Sequence, residues 1–151
     1  GEMPFSLEIA YHAPQPADSP DCPLKLATAL SARLVAEGEP VDLAVTVEAG
    51  DADVAMPVAV VGLPAGLEPR HERLKELLAE GRIASYEILG RELILYWRAL
   101  KAGEKIQLSI PMLADLPGRY RAPASRVYAY YTDEFKRWVP GTGIEISPRR
   151  F

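Results

Sequence analysis

The sequence holds few groups that could do chemistry, and none has the company a reaction needs. Nucleophilic catalysis requires a nucleophile beside a base. The histidines are His12 and His71, and no Gly-x-Ser-x-Gly elbow is present. His12 falls at a predicted strand end and His71 in a predicted first helical turn, where solvated polar residues are ordinary. Paired carboxylates occur at Asp51 and Asp53, and at Asp133 and Glu134. General acid–base work would need them in a shaped pocket with shifted pKa values. Both pairs lie in predicted loops, and the Asp51–Asp53 spacing fits no EF-hand loop. Cys22 has no Cys or His at metal-ligand spacing. The run Gly62-Leu63-Pro64-Ala65-Gly66 leads toward a helix, as a phosphate loop would. However, Pro64 and Pro69 remove two amide donors, and no Gly-Lys-Ser/Thr follows. These residues predict no catalytic group, no metal, no cofactor and no small-molecule substrate.

Binding is better represented than catalysis. Tyr128, Tyr130 and Tyr131 crowd one segment. Packing on a sheet face is the commoner role for such tyrosines, and contact with a protein partner is the second, since Tyr joins contact area to a polar tip. Trp97 lies in a strongly apolar run and is expected in the core. Trp138 lies among Lys136, Arg137 and Pro140 and is expected to be partly exposed.

Composition narrows the class. The chain has 151 residues, 48% hydrophobic and 25% charged, which suits one ordinary globular domain over 1–151. A chain of that length buries enough surface to fold without a disulfide or metal staple. The formal net charge is −4, and neither sign forms a long block. That argues against nucleic-acid binding, which needs clustered Lys and Arg, and against a basic membrane-surface patch. No apolar run approaches the roughly 20 residues of a spanning helix, so membrane insertion is not expected. No signal peptide is recognisable. The chain opens on Gly1 rather than Met, so the parent protein's compartment cannot be read from that.

The elements that must position any binding residue are mostly strands. The 14 prolines and 11 glycines fall as punctuation between short apolar runs, a pattern of sandwiches and barrels. Leu7, Ile9 and Tyr11 alternate with polar neighbours. So do Val41, Leu43, Val45 and Val47, and again Ile106, Leu108 and Ile110. Each run therefore has one buried and one wetter face, as antiparallel sheets allow. Further strands are predicted over 24–34, 56–61, 83–89, 93–100, 127–131 and 144–146. Residues 87–93 read as a hairpin turning at Gly90. Residues 69–80 differ: Leu74, Leu77 and Leu78 recur at helical spacing among charged residues, with Pro69 for a first turn and Gly81 for a cap. The expected fold is all-β, mainly an antiparallel β-sandwich, with one short amphipathic helix inserted at about 69–80.

This order of elements resembles the C-terminal, receptor-binding-type domain of the α2-macroglobulin and complement family, bacterial relatives included. The resemblance rests on residues 55–66 (Ala-Met-Pro-Val-Ala-Val-Val-Gly-Leu-Pro-Ala-Gly) leading into the helix, and on Ile83-Ala84-Ser85-Tyr86-Glu87 and Leu93-Ile94-Leu95-Tyr96 after it. Its strongest part is Pro117-Gly118-Arg119-Tyr120-Arg121-Ala122-Pro123-Ala124-Ser125, then Val127-Tyr128-Ala129-Tyr130-Tyr131-Thr132-Asp133-Glu134-Phe135. It implies a sandwich with a helical crossover, a protein-binding role without catalysis, and a large extracellular or periplasmic parent such as a protease trap. The reactive Gly-Cys-Gly-Glu-Gln thioester motif of trapping members is absent: Cys22 sits in Asp-Cys-Pro-Leu. The family's disulfide cysteines are absent too. Where vertebrate members present paired lysines on the helix, this chain has Glu68 and Glu72, which leaves Arg70, Arg73 and Lys75 as the helical cations. Tyr130, Tyr131 and that cationic helix face are the expected contacts, with neighbouring domains of the parent or with a partner protein. The alternative is a structural Ig-like spacer of a bacterial surface protein. A small enzyme or carbohydrate-binding domain would need a pocket lined by polar groups or aromatics, and no residues single one out.

Overall fold

The computed structural model describes residues 14–150; the predicted strand of Leu7, Ile9 and Tyr11, and His12 beside it, lie outside them. The first strands are β1 (Leu24–Leu30), β2 (Leu34–Ala36), β3 (Pro40–Ala49), β4 (Val54–Ala55), β5 (Pro57–Gly62) and β6 (Leu67–Pro69). Helix α1 (His71–Ala79) follows. Then come β7 (Ser85–Leu89), β8 (Glu92–Tyr96), β9 (Ala99–Leu100), β10 (Lys105–Ala114), β11 (Gly118–Arg121) and β12 (Ser125–Ala129). A short 3-10 turn over Tyr130–Thr132 leads to β13 (Arg137–Val139) and β14 (Gly143–Ser147).

Two antiparallel sheets make the sandwich, in the orders β1-β3-β10-β6 and β13-β12-β5-β8-β7. Their alternation is the one the sequence predicts. Val41, Leu43, Val45 and Val47 of β3 and Leu108, Ile110 and Met112 of β10 are buried. They share one cluster with Ala59, Val61, Leu93, Leu95 and Val127 from the other sheet. Period-two patterning places each set on its inner face. A smaller sheet, β11-β14-β2, adds a parallel pair between β14 and β2, and β4 pairs with β9. The fold is thus mainly antiparallel β with one short helix, as expected.

Several expected boundaries shift. The predicted strand 24–34 is two strands in different sheets. Ser31 ends β1 by donating its amide to the Asp42 carbonyl and accepting the Asp42 amide on its hydroxyl, after which the chain crosses to β2. The run 93–100 is likewise cut: β8 belongs to the five-stranded sheet and β9 pairs with β4. Pro69 does not open the helix. It ends β6 opposite Met112, the Arg70 amide donates to the Pro111 carbonyl, and helical backbone starts at His71.

The helix end is the predicted one. Gly81 takes φ 71°, its amide reaches the Leu78 carbonyl, and the Arg82 amide reaches the Leu77 carbonyl. That pair of bonds is a Schellman cap, which a residue with a Cβ would strain. The apolar stripe is narrower than predicted. Leu74 and Leu77 are fully buried, whereas Leu78 is 42% exposed. The hairpin at Gly90 forms as expected, with Leu89 opposite Glu92 and Gly90 at φ 58°. Trp97 is buried and donates its ring N–H to the Arg82 carbonyl at 2.8 Å.

Candidate protein-interaction surface

The outer face of the five-stranded sheet is built by register. Tyr128 lies opposite Val58, which lies opposite Tyr96; Arg126 lies opposite Val60, which lies opposite Ile94. Val58, Val60 and Ile94 form a small buried cluster of their own, with Tyr96 and Tyr128 packed against it. Strand β5 is buried on both faces, so its outer valines need the two tyrosines as cover. Burial holds both phenols above their ordinary ionisation range. Glu87 adds to this at Tyr96, while the Arg126 charge opposes it at Tyr128.

Charged groups brace the same face. Arg126 bonds Glu92 at 2.8 Å and lies 5.4 Å from the Trp138 ring centre. Both partners of this ion pair are partly buried, so solvent screens it less than a surface pair. The Lys136 ammonium stands 5.1 Å over the Tyr128 ring, a cation–π distance. Trp138 is half-buried, as expected.

At the end of β12 the predicted strand 127–131 stops short. Ala129 is its last residue, opposite Pro57, and Tyr130–Thr132 turn into a 3-10 helix. One last bond continues the register beyond the strand: the Tyr130 amide donates to the Met56 carbonyl at 2.9 Å. Met56 is the one non-glycine residue with positive φ among the described residues, at 50°. It joins β4 to β5, and its own amide is held by the Arg98 carbonyl at 2.8 Å. The Tyr130 and Tyr131 rings then stand edge to face, 5.4 Å apart at 87°, and are 55% and 76% exposed. Two large aromatic rings thus stand open side by side on an anchored turn.

The helical cations sit elsewhere. Arg70 is the residue before the first helical turn, with no side-chain cap. Arg73 is engaged by Glu76 at 3.0 Å and Glu80 at 3.6 Å, which partly offsets the like-charge Glu spacing. Lys75 is exposed and has no ion-pair partner among the described residues. The helix buries Leu74 and Leu77 in the main core, and no hydrogen bond or ion pair among the described residues links it to the tyrosine turn. The five expected contact residues therefore form two groups, Tyr130 with Tyr131, and Arg70, Arg73 and Lys75.

Two of the remaining candidates, Asp53 and Cys22, find structural roles. The Asp53 carboxylate accepts the Ala102 amide at 2.8 Å, tying the 51–53 loop to the next turn. Buried Cys22 directs its thiol at the Leu24 and Val127 carbonyls, and burial raises its pKa. Sequence reasoning missed Tyr96, Arg126 and Glu92 as parts of one face, because a single strand's parity does not name its neighbours. It missed Met56 because no residue type announces a left-handed methionine.

Together the two sheets, the crossover helix and the aromatic outer face make a mainly antiparallel β-sandwich domain with one exposed aromatic turn. Residues 52–138 match the family model described as the A-macroglobulin receptor binding domain, and the chain belongs to that family. No curated protein sequence matches it significantly. Among solved structures it is similar to trypsin-activated α-2-macroglobulin from Escherichia coli, at 20% identity and a TM-score of 0.71, covering 91% of this chain and 11% of that one. It is also similar to Salmonella α-2-macroglobulin reacted with methylamine, at 21% identity and a TM-score of 0.67, over 88% and 10% of the two chains. A native Escherichia coli structure running from domain MG7 to the C-terminus gives 18% identity and a TM-score of 0.69, over 88% and 25%. The chain thus spans a tenth to a quarter of the length of these proteins. At such identities the likeness is one of fold.

Proposed function

We propose that residues 1–151 form one non-catalytic protein-binding module of a larger, exported α-macroglobulin-like protein of the protease-trap kind, extracellular or periplasmic. Its principal contact is the Tyr130–Tyr131 turn, with Arg70 just before the helix and Lys75 on it as a second, weaker site. The observation that carries this reading is the pair of open rings on a turn fixed by the Met56 carbonyl. Interfaces draw most of their energy from a few such aromatic anchors, which lose little entropy on binding because the turn is already ordered. The partner is a neighbouring domain of the parent chain or a separate protein.

The test is calorimetric association of this chain with the rest of its parent, comparing the unaltered chain with the Tyr130→Ser/Tyr131→Ser variant. A loss of at least tenfold in affinity, with the thermal transition unchanged, is expected. Unchanged affinity removes the tyrosine contact and leaves the Ig-like spacer.

A further inference from the structure

A groove on the described surface lies away from the tyrosines. It measures about 830 Å³ and runs beside β1, with residues 139–145 as its far wall. Among the described residues, strand β1 is the edge of its sheet. Its pairing to β3 uses the odd-numbered residues, since the Ser31 amide bonds the Asp42 carbonyl and the Gly50 amide bonds the Pro23 carbonyl in the same register. Alternate residues of an antiparallel edge turn outward. Leu26, Thr28 and Leu30 therefore aim their N–H and C=O groups into the groove, and no hydrogen bond from the described residues reaches them. Sheet edges are normally blunted by charge, proline or a bulge; β1 carries only Lys25, at its start.

The groove wall supplies the rest of a binding site. Arg33, Arg119 and Arg121 line it, against a single carboxylate, Glu145, which pairs with Arg119 at 3.4 Å. A chain whose net charge is −4 has here a local excess of positive charge. The Thr142 hydroxyl oxygen is also buried at this wall without a hydrogen-bond partner.

We infer that the groove takes an extended acidic segment of a partner protein, which adds as a further strand to β1 and sets its carboxylates against Arg33 and Arg121. Backbone pairing to a free edge gives such a complex its affinity, and side-chain charge gives it its choice of sequence. The inference is independent of the tyrosine contact and stands or falls separately.

The probe is a capped, fluorescein-labelled heptapeptide alternating Glu and Thr, titrated by anisotropy into the 151-residue chain at low salt. Saturable binding is expected. The Lys/Thr counterpart should bind at least tenfold more weakly. So should the Glu/Thr peptide N-methylated at alternate residues, because one edge of its backbone can no longer donate. The Arg33→Glu/Arg121→Glu variant should lose at least tenfold; both side chains are exposed, so the fold tolerates the change. Equal binding of the N-methylated peptide would mean surface charge alone and overturn strand addition. Insensitivity to charge reversal overturns the acidic specificity. Binding that appears only after residues 1–13 are removed shows the chain's own segment occupying the groove, and absence of binding in both forms rejects the site; either result overturns the inference.

Discussion

The Met56 carbonyl accepts the Tyr130 amide at 2.9 Å while Met56 itself sits at φ 50°. A left-handed residue with a Cβ costs about 1–2 kcal/mol relative to an ordinary conformation, so this strain is held in place by its hydrogen bonds. Substitution should order in an unusual way. Met56→Val, β-branched, is expected to destabilise the domain by about 2 kcal/mol. Met56→Gly should cost less although it removes more side chain. Urea denaturation of the two variants checks the order; if glycine is the worse of the two, the backbone there is not strained.

Two glycines pack closely against the Ala122-Pro123 segment. A Cβ on Gly62 would lie 2.0 Å from the Pro123 carbonyl oxygen, and one on Gly141 would lie 1.8 Å from the Ala122 carbonyl oxygen. Both contacts are with backbone, which cannot swing aside. Gly62→Ala and Gly141→Ala are each expected to lose about 3 kcal/mol or more, the upper range for overpacking. Gly90→Ala meets open space and has only its positive φ to contend with, so about 1 kcal/mol is expected. Thermal melts of the three variants would separate sterics from conformation.

Neighbouring leucines on α1 should differ sharply. Leu77 is fully buried, whereas Leu78 is 42% exposed. Leu77→Ala should cost about 2–5 kcal/mol, and Leu78→Ala should stay within about 0.5 kcal/mol. Equal losses would place both side chains in the core.

Alkaline stability follows from the raised groups. Burial raises the Cys22 thiol and the Tyr96 and Tyr128 phenols in the folded chain. Each is neutral when protonated, so the unfolded chain releases its proton first as pH climbs. Their contribution is complete below the unfolded values, near 9 for the thiol and 10 for the phenols, and is lost as pH rises through the folded ones. Stability should therefore decline from about pH 9 upward. The Tyr128→Phe variant should show a shallower decline above pH 10 in urea midpoints measured from pH 8 to 11. An identical slope would remove Tyr128 from the account.

What the sequence reveals here is faces, and what it conceals is partners. The parity of Val41, Leu43, Val45 and Val47 locates a buried side without naming the strand across from it. Sheet changes are set by register, so the crossing after Leu30 and the one after Tyr96 leave no mark in hydropathy. Gly90 and Gly81 are legible because positive φ favours one residue type. The same conformation at Met56 is illegible because hydrogen bonds to the Arg98 carbonyl and from the Tyr130 amide hold it. Tyr130 and Tyr131 could be named from their crowding, but the turn that exposes them depends on a residue about seventy positions earlier.

The parallel pairing of β14 with β2 joins Ile146 to Val35, both buried. On a ribosome, β2 emerges more than a hundred residues before its partner, and loop closure over that span is slow. The nascent chain must therefore carry an unpaired edge, with Val35 uncovered, until residues 143–147 leave the exit tunnel. During that interval it presents the kind of strand that aggregation or a chaperone would seize. Completion of this small sheet thus waits on the emergence of residues 143–147 rather than on the largest sheet.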